Sequence, residues 1–203
     1  CKMYEKRIEE LGGLDLQILG IGRTGHIGFN EPGSGENTIT RMITLDQITR
    51  IDAASDFFGE ESVPHKALTM GVGTIMKAKK IIMMAWGEGK SKIIQKAVEG
   101  PLTDQIPSTF LQTHPNALVV VDDAASSKLS RIKTPWLVAT CDWNNPVLIR
   151  QAVVWLCQTV DKPILKLTSS DYSEHGMSDL VTEYSSAYQI NIKIFNELQH
   201  TIT

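Results

Sequence analysis

The apolar run Leu14 to Leu19 empties directly into Gly20-Ile21-Gly22-Arg23-Thr24-Gly25-His26-Ile27-Gly28-Phe29-Asn30-Glu31-Pro32-Gly33-Ser34-Gly35. No other stretch limits the possible folds as much. A strand that runs into six glycines within sixteen residues needs a scaffold that can hold an irregular loop at the strand's end. Within that loop one imidazole and one carboxylate, His26 and Glu31, stand five positions apart. Such a pair is a candidate acid–base site; the alternative is a tight turn whose carbonyls His26 merely satisfies.

Around this loop, strand-like and helix-like patterns alternate. Tyr4, Ile8 and Leu11 are spaced like the core face of a helix, which Gly12-Gly13 ends. Neither a capping residue nor an initiator methionine precedes that helix, so the chain is expected to lack an N-terminal part. Thr38 to Leu45 alternates like an extended segment, and Asp52 to Phe58 suits a short helix. A helical stretch is expected over Lys66 to Met76, a strand over Lys80 to Trp86, and a helix over Ser91 to Val98. A helical turn at Ser108 to Gln112, a strand at Ala117 to Val121, a short helix at Ser126 to Arg131 and a strand at Trp136 to Thr140 follow. The pattern predicts an α/β fold, a Rossmann-like layered sheet, largely parallel, with helices on both faces. Ligands of such sheets sit beyond the carboxyl ends of strands, where the glycine loop, Gly87 to Lys90 and Asp122 all lie.

From Asp142 onward the chain changes character. An amphipathic helix is expected over Val147 to Val160 and two more over Ser178 to Gln199, with a polar stretch between. We read residues 1–140 as one domain and 141–203 as a helical extension or a linker towards a further domain.

Gly20-x-Gly22-x-x-Gly25 fits a dinucleotide-binding fingerprint, and Asp46 lies about twenty positions on, as that fingerprint requires. The fingerprint also needs a helix from its third glycine, and Gly28, Pro32, Gly33 and Gly35 forbid one. Gly87-Glu88-Gly89-Lys90, between a strand and a helix, is a candidate phosphate site or else an ordinary turn with a solvated lysine. A net charge of −3 gives no sign of a nucleic-acid surface, and no apolar run is long enough to span a bilayer. Cys1, Cys141 and Cys157 are too scattered for a disulfide framework or a metal cluster, which favours a cytoplasmic setting. His65, His114, His175 and His200 show no metal spacing, and Met70, Met76, Met83 and Met84 read as core packing.

Gly25-His26-Ile27-Gly28-Phe29-Asn30-Glu31-Pro32 resembles the signature of the glucosamine-6-phosphate deaminase family. The similarity runs on through Thr49-Arg50, Val63-Pro64, Ala67 to Thr74, Ala97 to Gly100 and Phe110 to Pro115, and covers roughly residues 3 to 131, the second half of that family's domain. The resemblance implies conversion of glucosamine 6-phosphate, a phosphorylated amino sugar, to fructose 6-phosphate and ammonia, with no metal or organic cofactor, in a homo-oligomer. It implies that His26 opens the pyranose ring, that Glu31 orients and charge-stabilises His26, and that Gly22, Gly25 and Lys90 bind substrate, Lys90 at the phosphate. It also implies that the aspartate removing the C2 proton lies in the other half of the domain, so that residues 1–203 alone are inactive. Thr24 stands where the family has a supporting aspartate, and Asp56 where it has a phosphate-binding arginine. Ser34, Arg41 and Thr44 match the family's allosteric site, whereas Ile43 replaces its lysine. Two rivals follow: a lactone-hydrolysing sibling, and a non-catalytic sugar-phosphate-binding domain.

Overall fold

A computed structural model describes residues 1–202, with side chains through His200. The chain divides into two compact units, Cys1–Leu129 and Ser130–Thr203.

The first unit is α/β, a mostly parallel Rossmann-like layer with helices to both sides. Its main sheet has the order β1 (Leu16–Leu19), β4 (Lys80–Ala85), β5 (Ala117–Val121), all parallel. The register Leu19↔Met83↔Val119 puts alternate residues on one face, where Leu19, Ile81, Met83 and Ala85 are buried. Against that face pack Ile93, Ile94 and Ala97 of α4 (Ser91–Glu99), together with Leu111 from a 3-10 stretch, Pro107–Thr113. The opposite face carries Leu16, Ile18, Leu118 and Val120, which are less covered and remain about half exposed. Because the three strands are parallel, their carboxyl ends share one edge of the sheet, and the three expected loops gather there.

α1 (Lys2–Glu10) is fixed by Glu5, whose Oε1 accepts from the Thr40 amide at 2.8 Å and the Thr74 hydroxyl at 2.7 Å. The helix expected over Lys66 to Met76 divides into β3 (Lys66–Thr69) and α3 (Val72–Met76). β3 pairs antiparallel with β2 (Arg41–Thr44), whose backbone polar groups need a neighbour that periodicity does not reveal. The helix expected over Asp52 to Phe58 is the end of a longer one: α2 spans Gln47–Ala53, begun early because the Asp46 side chain caps it by accepting from the Ile48 amide at 2.8 Å, and a 3-10 helix continues it over Ala54–Phe57. Asp46, the acidic residue of the rejected dinucleotide reading, is thus a helix cap. Capping also moves the helix expected at Ser126 to Arg131: Asp122 accepts from the Ala125 amide and starts α5 at Asp123–Ser126.

The second unit is helical: α6 (Ser130–Lys133), α7 (Pro146–Val160), α8 (Ser169–Glu174), α9 (Ser178–Glu183) and α10 (Ala187–Ile202). Trp136, Trp143, Ile149, Val153, Leu156, Tyr172, Leu180, Ile190 and Ile194 form its core. The strand expected over Trp136 to Thr140 is absent; Pro135–Leu137 is a 3-10 turn instead. Pro135 has no amide to give a ladder, and burying the Trp136 indole among helices outweighs its strand preference. α8 was hidden in the polar stretch. It forms through a capping box in which Thr168 and Asp171 satisfy each other's backbone amides, with Lys162 on Asp171 at 2.7 Å. The Lys162 ammonium and the two Thr168 donors hold the Asp171 carboxyl down at about 2.

Candidate active site

The glycine loop is shaped by hydrogen bonds that its own residues and β3 supply. The Gly22 amide donates to the His26 carbonyl at 3.0 Å, and the Gly25 amide donates to the Gly22 carbonyl at 3.0 Å. Asn30, fully buried, donates from Nδ2 to the Ile27 and Met70 carbonyls, each at 2.8 Å, and the Phe29 amide donates to Thr69 Oγ1 at 3.0 Å. Two glycines are obligatory. Gly25 has φ +85°, and a Cβ there would lie 2.5 Å from Ile106 Cγ2. At Gly22 a Cβ would lie 2.2 Å from His26 Nε2, so only a bare Cα lets the ring rest there.

The loop brings His26 and Glu31 together. Nδ1 of His26 is 3.0 Å from Glu31 Oε2, and the two side chains are 14% and 6% exposed. Thr24 Oγ1 lies 3.1 Å from the same nitrogen, and Thr49 Oγ1, from α2, lies at 3.4 Å. Glu31 Oε1 accepts from the Asp46 amide at 3.3 Å. Burial pushes the Glu31 carboxyl up, but hydrogen bonds from His26, Thr49 and Asp46, with the charge of His26, bring it below its ordinary value. A carboxylate held anionic on Nδ1 directs the ring proton there and leaves Nε2 to exchange protons with a ligand.

Lys90 reaches the same loop, its ammonium donating to the Ile21 carbonyl at 2.7 Å. The Gly87 amide is already taken by Asp122, at 3.0 and 3.1 Å to its two carboxylate oxygens. Cationic anchoring at the Gly87 to Lys90 turn thus rests on Lys90. Of the remaining expected residues, Arg41 and Ser34 meet, Nη2 donating to Ser34 Oγ at 2.7 Å, and Arg41 Nη1 donates to Asn30 Oδ1 at 2.9 Å. Thr44 is exposed at the far end of β2, three residues from Arg41 and so on the opposite face. Asp56 is exposed.

Sequence reasoning gave no role to Asn30 or Thr49. Asn30 sits inside the signature without a distinctive spacing, and Thr49 is 23 residues from His26, joined to it only by the fold. Among the described residues no cluster of three His, Cys, Asp or Glu side chains is placed to hold a metal, and no helix is long and apolar enough to cross a membrane.

Comparison with known proteins identifies relatives of the first unit. The family described as glucosamine-6-phosphate isomerases/6-phosphogluconolactonase matches residues 1–120. A glucosamine-6-phosphate deaminase-like protein of Bacteroides thetaiotaomicron is 55% identical over all 203 residues, which span 30% of that protein. The glucosamine-6-phosphate deaminase of Cellvibrio japonicus is 49% identical over 133 residues, 66% of this chain and 51% of the relative. A solved structure of a monomeric glucosamine-6-phosphate deaminase superposes with a TM-score of 0.62 at 41% identity, covering 63% of this chain and 53% of its own. The chain thus spans about half the length of the deaminases it matches. Matched over more than half its length and carrying the His26–Glu31 pair on the loop that the signature predicts, the chain belongs to the glucosamine-6-phosphate isomerase/6-phosphogluconolactonase family.

Proposed function

We propose that the domain to which residues 1–129 contribute converts glucosamine 6-phosphate to fructose 6-phosphate and ammonia. The observation that carries this reading is the His26 Nδ1–Glu31 Oε2 contact of 3.0 Å, with the Nε2 end of the ring lying over the bare Cα of Gly22. In this reading Nε2 moves a proton between the ring oxygen and the anomeric hydroxyl, opening the pyranose. Glu31 fixes the tautomer and stabilises the imidazolium formed on the way. Lys90 holds the phosphate, exchanging the Ile21 carbonyl for an anionic oxygen that binds an ammonium more strongly. Abstraction of the C2 proton falls to a residue outside residues 1–203, so this chain alone releases no ammonia.

The test is ammonia release from glucosamine 6-phosphate by a polypeptide carrying the whole family domain, with and without His26→Ala. Loss of about 100-fold or more is expected; equal rates would remove His26 from the mechanism. A panel of phosphosugars and a 6-phosphate lactone separates deamination from lactone hydrolysis. Thr24 and the exposed Asp56 favour a second reading, a sugar-phosphate-binding regulatory domain. Calorimetry showing tight binding of the sugar phosphate without turnover would select it.

A further inference from the structure

We propose that Thr49 is a positioning residue for His26, its hydroxyl completing a three-oxygen cradle around Nδ1 that keeps the ring in the Nδ1–H tautomer. The cradle consists of Glu31 Oε2 at 3.0 Å, Thr24 Oγ1 at 3.1 Å and Thr49 Oγ1 at 3.4 Å. Only the first is charged. An ionised carboxylate accepts and cannot donate, so a proton on Nδ1 is favoured by Glu31, whereas a hydroxyl can turn either way. A threonine hydroxyl left free to donate would stabilise the opposite tautomer, with Nδ1 bare. Thr49 avoids this if its proton turns to Glu31, an interaction that is one of the influences lowering the Glu31 carboxyl against burial, while its oxygen lies 3.4 Å from Nδ1. Its oxygen lone pairs then face Nδ1. Thr49 is 7% exposed, so water does not replace its hydroxyl at low cost.

α2 is tied to the glycine loop at both ends, which places Thr49 where it acts. Arg23, beside Thr24, forms a two-point pair with Asp52, Nε donating to Oδ2 at 2.9 Å and Nη2 lying 2.5 Å from Oδ1. At the helix start the Asp46 amide donates to Glu31 Oε1 at 3.3 Å. One short helix therefore reaches both members of the pair, Glu31 through the amide of its cap Asp46 and His26 Nδ1 through Thr49. Where the resemblance calls for a second carboxylate at position 24, this chain orients the ring with hydroxyls from two directions.

The role of the tautomer in catalysis rests on the deaminase reading; the tautomer itself does not. The 203-residue chain, labelled with 15N and held at about pH 9, above the usual imidazole range, reports the tautomer by long-range 1H–15N correlation. Wild type and Thr49→Ser are expected to show one species with the proton on Nδ1, and Thr49→Val a mixture. Thr49→Ala, too small to clash, must repeat the mixture. A pure Nδ1–H signal in both Val and Ala variants overturns the proposal, as does a Ser variant that behaves like Val. In the whole-domain polypeptide, Thr49→Val is expected to lower kcat about tenfold with KM unchanged, and Thr49→Ser to restore it. A wild-type domain that releases no ammonia refutes the deaminase reading while the tautomer result stands.

Discussion

Replacing Gly22 by alanine isolates the position of the His26 ring from the stability of the loop. Gly22 is not among the residues with positive φ, so alanine suits its backbone. The added Cβ would meet Nε2 at 2.2 Å, Cε1 at 2.3 Å and Cδ2 at 2.6 Å. Three such similar distances place it over the face of the ring, towards its Nε2 end, and not in line with the Nε2 lone pair. Ordinary contact begins at 3.4 Å, so the ring must lift by about 1.2 Å, the difference from 2.2 Å. A lift perpendicular to the ring stretches the 3.0 Å bond to Glu31 only to about 3.2 Å, the hypotenuse of 3.0 and 1.2 Å. The fold should therefore lose no more than about 1 kcal/mol, a fall in Tm of about 3–6 °C for a unit of this size. Catalysis should suffer far more, because a displacement of about 1 Å of a proton-transferring atom costs about 100-fold. Thermal unfolding followed by circular dichroism, beside ammonia release by the whole domain, measures both. A Gly22→Ala enzyme within threefold of wild type, where His26→Ala is inactive, would refute the reasoning.

Other perturbations have clear signs. The Glu31 carboxyl lies below its ordinary value of 4.5, so its contribution to stability is complete above that pH and is lost as pH falls through the lower folded value. Glu31→Gln should flatten this acid limb of thermal stability for the first unit and lower kcat about 10–100-fold. Asp171 acts likewise in the helical unit, where stability should fall as pH drops from 3.8 to about 2 and Asp171→Asn should abolish that dependence. Lys90→Met should raise KM for a phosphorylated sugar at least tenfold and leave KM for its unphosphorylated counterpart unchanged, as measured by initial rates. Trp136→Ala should destabilise the helical unit by about 3–5 kcal/mol in urea unfolding.

What could be read in the sequence was what neighbours along the chain decide. Leu16–Leu19, Lys80–Ala85 and Ala117–Val121 are strands because short β-branched or apolar runs end in turn residues, and α4 and α7 repeat at helical spacing. His26 and Glu31 could be paired because one loop carries both. The misreadings depend on distant partners. Lys66–Thr69 is a strand because β2 lies beside it, and Trp136 leaves an extended pattern because a helical core offers a better place for an indole. Thr49 belongs to the site through the Arg23–Asp52 pair and the Asp46 amide, contacts spanning 29 and 15 residues that no local pattern encodes. Asp46, Asp122 and Asp171 show a further limit: an aspartate that caps a helix looks the same in sequence as one that does chemistry.

The half-exposed row Leu16, Ile18, Leu118 and Val120 has a practical consequence for handling this polypeptide. Exposed greasy side chains on β1 and β5, the two strands that flank β4, are adhesive, so the purified chain should self-associate as concentration and salt rise. Lysines at Ile18 and Leu118 should keep it dispersed in light scattering, and because these side chains point away from the buried face, the histidine's resonances should not move.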